Sequence, residues 1–250
     1  MELHGTNALV TGANRGIGRA MAHALAAEGA QVLAGVRSLD REHDAGPGVR
    51  PVQIDLSSRE SIESSVRGLG EVQVDLLINN AGVFEGGLLE RQSVERIYEL
   101  LQSTLTGPIH LTRALLPGML QRGRGKIVNN ASIIGHAPFP GATVYAAAKT
   151  GLHGFSVSLR RELEQTDVGV LELITPGIDT DMMQQVQQQL DAHVDTDGWD
   201  HVDPEDWAAQ VVDAIRSDQE ELNPGGAERL AKLMPKALLD LVSKQTFDRA

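Results

Sequence analysis

The chain has 250 residues, of which 41% are hydrophobic and 22% charged, and it contains no cysteine. This length suits one α/β domain and is sufficient to bury a complete sheet between helix layers. The formal net charge of -12 argues against a nucleic-acid partner, because the surface would repel a polyanion. The lack of cysteine excludes disulfides, cysteine-based zinc sites and thiol nucleophiles.

The first residues and the apolar segments predict a cytoplasmic protein without a membrane partner. Residues 1–5 lack the charged stretch and the long apolar run of a secretory signal. No apolar run approaches the roughly 18 residues that would predict a membrane span.

Strand-like and helix-like segments alternate along the first part of the chain. Residues 7–10 predict a strand, and a helix over residues 17–28 follows a glycine-rich turn and stops at Gly29. Further strands are predicted at residues 31–36, 52–54 and 76–78, with a helix over residues 58–68.

The alternation continues in the second half. A long helix is predicted over residues 94–116, where Pro108 should perturb the backbone, followed by a strand at 126–129, a helix at 145–163 and a strand at 168–174. Short apolar strands between helices imply right-handed crossovers and a parallel sheet covered on both faces. The sequence therefore predicts one doubly wound, Rossmann-type α/β domain over residues 1–250, with six or seven parallel strands. Residues 181–204 predict a helix and loop that cap the substrate site, and residues 227–250 a helical tail.

The turn after the first strand carries the spacing Gly12-x-x-x-Gly16-x-Gly18. Glycines at these positions allow a tight turn, a close approach to a pyrophosphate and close packing of the helix on the sheet. The start of the helix offers free N–H groups and the positive end of its dipole. The turn predicts a dinucleotide site, with a tight turn that binds no ligand as the alternative.

Tyr145 and Lys149 are four residues apart, so they share one face of a helix. A nearby ammonium favours the phenolate and is expected to lower the phenol pKa from its usual value of about 10. Ser132 precedes the tyrosine by thirteen residues, and its hydroxyl could bond the oxygen that exchanges the proton. This set indicates proton transfer during hydride transfer to a carbonyl, whereas the alternative is a surface pair on an ordinary helix.

Five motifs in this order resemble the short-chain dehydrogenase/reductase family, over about residues 5–182. They are Thr11-Gly12-x-x-x-Gly16-x-Gly18, Asn79-Asn80-Ala81-Gly82, Ser132, Tyr145-x-x-x-Lys149 and Pro176-Gly177. The resemblance implies a nicotinamide cofactor and a catalytic Tyr145 that acts as general acid or base. It also implies that Ser132 polarises the carbonyl oxygen and that Lys149 tunes the tyrosine and holds the nicotinamide ribose.

The charges after the second strand favour NADP(H). Family members that prefer NAD tend to place an acid there, whereas this chain has Val36 followed by Arg37, and Arg15 lies in the glycine turn. Two guanidinium groups suit a 2′-phosphate, which arginine can bind in a bidentate manner. Asp40 is the competing acid, and the alternative is that both arginines are solvated surface charges.

The resemblance assigns the other cofactor contacts to segments that follow strand ends. They are Gly12, Asn14, Gly16, Ile17 and Gly18; Asp55 and Leu56 at the adenine; Asn80, Ala81 and Gly82; and Pro176, Gly177, Ile178 and Thr180 at the nicotinamide. A plain turn aspartate is the alternative for Asp55. Thr180 arrives one residue earlier than in the family pattern.

Thr104 stands where the family has a catalytic asparagine before Leu-x-Gly in the long helix. By the resemblance, that asparagine helps to hold a water that links the lysine to solvent. Threonine can bond a water but lacks the two amide donors, so we expect the proton relay through Thr104 to be weakened or rerouted.

The loops after the strand ends also supply the expected substrate contacts, because ligands of open α/β sheets bind there. These residues are Val83, Phe84, His136, Phe139, Met182 and Met183. Their mostly apolar character favours a medium-sized ketone or secondary alcohol, and simple packing of the loops is the alternative. No metal site is predicted.

The sequence thus predicts an NADP-dependent carbonyl reductase or alcohol dehydrogenase. The resemblance to the family also implies a homodimer or homotetramer. One alternative is an NADP-binding regulator with little turnover, which Thr104 favours. Another is a sugar-nucleotide epimerase or dehydratase of the extended branch of the family. These relatives have a larger substrate domain, for which this chain is short.

Overall fold

The computed structural model describes residues 1–39, 46–190 and 201–223. Within these ranges, seven strands form one parallel sheet in the order β3-β2-β1-β4-β5-β6-β7. The strands are β1 (Asn7–Thr11), β2 (Gln31–Val36), β3 (Val49–Gln53), β4 (Leu76–Asn79), β5 (Gly125–Asn130), β6 (Val168–Leu173) and β7 (Glu221–Leu222). The predicted doubly wound, Rossmann-type fold is confirmed.

Seven α-helices accompany the sheet in the described ranges. They are α1 (Gly16–Ala27), α2 (Arg59–Gly68), α3 (Val94–Leu101), α4 (Gly107–Arg122), α5 (Thr143–Glu162), α6 (Asp181–Leu190) and α7 (Pro204–Arg216). Side chains alternate along each strand, so Val10 packs in a cluster with α1 and α7, whereas Leu9 packs in a second cluster with α2, α4 and α5. Helices therefore bury both faces of the sheet.

The long helix departs from its predicted form. It continues to Arg122, with Pro117 inside α4, so the predicted end at residue 116 is wrong. Met119, two residues after the proline, is fully buried against the sheet, and this packing holds the helix together beyond the proline. The irregularity is a π-helical turn at Gln102–Thr106, and Pro108 lies in the first turn of α4, where its missing N–H costs little.

The chain order places a crevice between the carboxyl ends of β1 and β4. From β1 the chain runs outward to β2 and β3, and β4 returns on the other side of β1. Ligands of doubly wound sheets bind at such a reversal. The glycine turn follows β1 and Asn80 follows β4, so both flank this crevice.

Several predicted features fall outside the described residues, namely Asp40, residues 191–200 of the capping segment and the tail at 227–250. Of the capping segment, α6 is described, and Ile178 pairs with Val202 at its base. The assignment of the whole chain to one domain stays a prediction. Across the described ranges, every helix is too short or too polar to span a bilayer.

Candidate active site

The glycine turn has the backbone that a pyrophosphate site requires. Gly12 and Gly16 lie in the left-handed region, at φ values of 68° and 50°. A Cβ on Gly18 would lie 2.2 Å from the carbonyl oxygen of Gly12. In the described structure, no side chain caps the start of α1 at Arg15, which leaves its first N–H groups available to an anion. The turn fits the phosphates of a dinucleotide.

Thr11 joins the two strand ends that flank the crevice. Its Oγ1 accepts hydrogen bonds from the backbone N–H groups of Asn80, at 2.9 Å, and Ala81, at 3.0 Å. The side-chain amide of Asn80 donates in return to the carbonyl oxygen of Thr11 at 2.9 Å. Ala81 is thereby held so close that its Cα lies 3.0 Å from the place of a Cβ on Gly12. The segment from Asn80 to Gly82 forms the second wall of the crevice.

Lys149 is buried at the carboxyl end of β5. It is 4% exposed, and its Nζ donates a hydrogen bond of 2.6 Å to the carbonyl oxygen of Asn130. The Asn130 side chain is itself fixed, because its amide donates to Asn80 at 2.8 Å and its oxygen accepts from Thr175. The lysine is therefore anchored to the cofactor crevice, and the alternative of a surface pair with Tyr145 is wrong.

Burial shifts the pKa values of both Lys149 and Tyr145 in the chain without a bound cofactor. Loss of water lowers the pKa of Lys149 to about 8 and raises the pKa of Tyr145 above its usual value. The sequence predicts a lowered tyrosine pKa, whereas desolvation of the phenolate raises this pKa in the chain alone, with Nζ of Lys149 5.5 Å from the ring centroid. Tyr145 is held neutral, which is the form that can donate a proton.

Ser132 is the second residue after β5, which ends at Asn130. Its Oγ accepts the backbone N–H of Ile134 at 3.3 Å and so caps the short 3₁₀ turn Ile133–Gly135. That turn rests on α5, where a Cβ on Gly135 would lie 3.0 Å from the carbonyl carbon of Lys149. Ser132 and the turn that ends at Gly135, together called the serine loop, are thus packed as one unit with α5, the helix that carries Tyr145.

Thr104 is fully buried in the π-helical turn and reaches the loop after β4. Its Oγ1 accepts the backbone N–H of Val83 at 3.3 Å and lies 3.3 Å from the place of a Cβ on Gly82. These contacts support the crevice wall. A weakened proton relay through Thr104 stays a prediction.

The ring of Tyr145 is part of an apolar wall. Phe84 meets it edge to face, with ring centroids 5.1 Å apart and planes at 71°. Of the expected substrate residues, Phe84, Phe139, Met182 and Met183 share this cluster, and Val83 packs against a neighbouring cluster that Tyr145 also contacts. The cluster also contains residues that the sequence did not single out: Ile134, Ala142, Ala146, Val186 and Leu190. The apolar residues of α6 recur at helical spacing, and this pattern was the signal that could have indicated Val186 and Leu190.

Both arginines of the expected phosphate site are accessible. Arg15 is 3.7 Å from Asp181 and Arg37 is 4.0 Å from Glu99, with side chains 57% and 71% exposed. Such loose surface pairs contribute little and leave the guanidinium groups available to a ligand. Arg37 directly follows β2, as the sequence indicates.

Three of the other expected cofactor residues already form hydrogen bonds within the chain, namely Asp55, Thr180 and Gly177. Asp55 accepts the backbone N–H and the hydroxyl of Ser57 through Oδ1, at 2.9 and 2.7 Å, as a turn aspartate does. Thr180 caps α6 by accepting the N–H of Met183 at 3.4 Å, while its methyl group lies 3.1 Å from the place of a Cβ on Gly16. Thr180 therefore closes over the glycine turn. Gly177 is fixed at the base of the capping segment, where its carbonyl oxygen accepts the N–H of Val202 at 2.9 Å.

His136 is the one expected substrate residue that the structure does not bring to the apolar wall. Its Nε2 lies 3.5 Å from Oε1 of Glu172, and its ring centroid is 4.3 Å from that of His153. The sequence analysis missed His153 and Glu172, because they lie on other elements and no short spacing connects them.

Comparisons with known proteins identify the family of this chain. A family model described as short chain dehydrogenase matches residues 6–191. The 3-oxoacyl-[acyl-carrier-protein] reductase FabG of Vibrio cholerae serotype O1 is 38% identical over 192 residues, which cover 73% of this chain and 77% of that protein. The reductase of the same name from Haemophilus influenzae is 34% identical over 200 residues, which cover 77% of this chain and 82% of that protein.

The solved structure of a short chain dehydrogenase from Burkholderia cenocepacia, in complex with NADP, is similar throughout. It has a TM-score of 0.83 at 27% identity and covers 97% of this chain and 99% of its own. The chain belongs to the short-chain dehydrogenase family and is an oxidoreductase. The matched region contains the glycine turn, Ser132, Tyr145 and Lys149.

Proposed function

We propose that this protein is an NADP(H)-dependent reductase of ketones, in which Tyr145 protonates the carbonyl oxygen. The observation that carries the proposal is the state of Tyr145. Burial keeps it protonated beside Lys149, and its ring lies against an apolar wall next to the cofactor crevice. NADPH, when bound, supplies the hydride to the carbonyl carbon.

The chain's own residues orient the substrate and move the proton. The start of α1 and the glycine turn hold the cofactor phosphates, and Ser132 donates a hydrogen bond to the carbonyl oxygen. The Tyr145 hydroxyl then gives its proton to that oxygen as the alkoxide develops. Lys149, with a pKa of about 8, is mostly charged at neutral pH and stabilises the phenolate that remains.

The apolar wall favours a ketone with an apolar substituent. Phe84, Phe139, Met182 and Met183 offer packing without fixed charge, so the substrate gains affinity from burial. The likeness to 3-oxoacyl-[acyl-carrier-protein] reductases supports a 3-oxoacyl thioester within this class. We further place the enzyme in the cytoplasm as a homodimer or homotetramer, in keeping with its family.

Turnover with a ketone panel tests the proposal. We expect the purified protein to oxidise NADPH in the presence of a 3-oxoacyl thioester or an aryl alkyl ketone, and more slowly with a charged 2-oxo acid of similar size. Consumption of NADPH is followed by absorbance and the alcohol by chromatography. Tight NADPH binding with no turnover on any ketone would favour the alternative, a cofactor-binding regulator, for which buried Thr104 is the specific observation.

Arg37→Ala tests the phosphate preference. We expect the variant to bind NADPH at least about tenfold more weakly and NADH almost unchanged, because only NADPH offers the 2′-phosphate for a charge-assisted bond. Titration of nicotinamide fluorescence measures both dissociation constants. Arg59→Ala is the matched control, since it removes the same charge from an exposed residue of α2 that is paired with Glu63. Equal losses for the two cofactors in Arg37→Ala would contradict the assignment.

A further inference from the structure

Three side chains that can bind a metal meet beside α5, away from the apolar wall. His136 follows the 3₁₀ turn after Ser132, His153 lies on α5, and Glu172 lies on β6. Nδ1 of His153 is 2.9 and 3.0 Å from the two carboxylate oxygens of Glu172, and Nε2 of His136 is 3.5 Å from Oε1. One ligand atom from each residue lies within 4.8 Å of the other two.

Burial of these polar side chains costs free energy unless each of their polar atoms has a partner. Glu172 is fully buried, and the His136 side chain is only 6% exposed. Nε2 of His136 is nevertheless without a hydrogen bond in the described structure, although it points toward the carboxylate. Buried polar atoms are nearly always paired, and a simple pair of His153 with Glu172 leaves this nitrogen unsatisfied. The unpartnered nitrogen of His136 points to a ligand that all three groups would share.

The donor set is that of a zinc site. Two imidazole nitrogens and one carboxylate oxygen bind Zn²⁺ at about 2.0–2.2 Å, and a tetrahedral arrangement separates such ligands by about 3.3 Å. The observed separations of 2.9 and 3.5 Å from Glu172 to the two histidines lie on either side of this value. The side chain of His153 is 32% exposed, which gives an ion a path and leaves a position for water.

We infer that His136, His153 and Glu172 form a binding site for Zn²⁺ or a similar late first-row divalent ion. The ion would connect three elements that meet here, namely the serine loop, α5 and β6. His153 lies one turn beyond Lys149 on α5, and the hydroxyl of Thr150 donates to the carbonyl oxygen of Gly135 at 3.0 Å. The site therefore holds the serine loop against α5.

Metal binding to the full chain tests the inference. After treatment with a chelator and dialysis, the protein is titrated with Zn²⁺, and bound metal is measured by elemental analysis together with the melting temperature. We expect one Zn²⁺ per chain both in the wild type and in the His23→Gln control, with a rise of several degrees in melting temperature. His23 is an exposed histidine of α1, so this control accounts for adventitious binding at the surface.

His153→Gln is the informative variant, because the residue is partly exposed and its replacement should leave the chain folded. We expect it to lower Zn²⁺ affinity at least about 100-fold, more than the loss of an outer-shell partner of a metal ligand costs. Substitution with Co²⁺ supplies a second readout, since a tetrahedral site with nitrogen and oxygen ligands gives intense visible absorption in the wild-type chain. Wild-type protein that binds no more Zn²⁺ than His153→Gln, or that shows no such absorption, would overturn the site.

Discussion

Replacing Tyr145 by phenylalanine should lower kcat for ketone reduction by about 10²–10⁴-fold, the usual contribution of a positioned general acid. The change removes only the hydroxyl, so the ring keeps its edge-to-face contact with Phe84 and its place in the apolar wall. Because the phenol is neutral in the buried site, the variant loses a proton donor and leaves the charge of the site unchanged. We therefore expect the loss in kcat, with little change in NADPH affinity.

The second tyrosine of the chain offers a matched control. Tyr98 lies on α3 and is 72% exposed, so Tyr98→Phe removes the same atom from a residue outside the site. Steady-state rates with the best ketone of the panel, and NADPH titrations, are compared for both variants. If Tyr145→Phe turns over as fast as Tyr98→Phe, another group donates the proton and the proposed mechanism is wrong.

The inner strands of the sheet could be predicted from the sequence because they are apolar on both faces. Leu76, Leu77 and Ile78 are all fully buried, and a continuous apolar run between helical segments indicates such a strand. The end of the long helix could not be predicted in this way. Pro117 locally favours a break, and only the tertiary burial of Met119 two residues later overrides it.

The active site shows the same division between local and tertiary information. The four-residue spacing of Tyr145 and Lys149 predicts that they share a helix face, and the structure buries the lysine there. The spacing does not report how much water surrounds the pair, so the sign of the tyrosine pKa shift was missed. His153 and Glu172 were missed for a related reason, since only the packing of α5 on β6 brings them together.

The glycine turn gives the second large expected effect. Gly18→Ala places a Cβ 2.2 Å from the carbonyl oxygen of Gly12 and 2.5 Å from Nδ2 of Asn80. The oxygen belongs to the backbone, so the clash cannot be relieved by a side-chain rotation and the turn itself must move. We expect a destabilisation of at least about 3 kcal/mol, at the upper end for overpacking. The melting temperature should fall by about 6–12 °C, given the usual response of a domain of this size.

Gly154→Ala is the control, because it makes the same change inside a helix without a clash. A Cβ at Gly154 meets no atom within 4 Å, so alanine should stabilise α5 by about 0.5–1 kcal/mol through its higher helix propensity. Calorimetry of both variants, with and without NADPH, separates loss of fold from loss of binding. Gly18→Ala should also lose most of the stabilisation that NADPH gives, since the displaced turn no longer presents its N–H groups to the phosphates. An unchanged melting temperature for Gly18→Ala would mean that α1 does not pack on the turn as closely as the 2.2 Å approach requires.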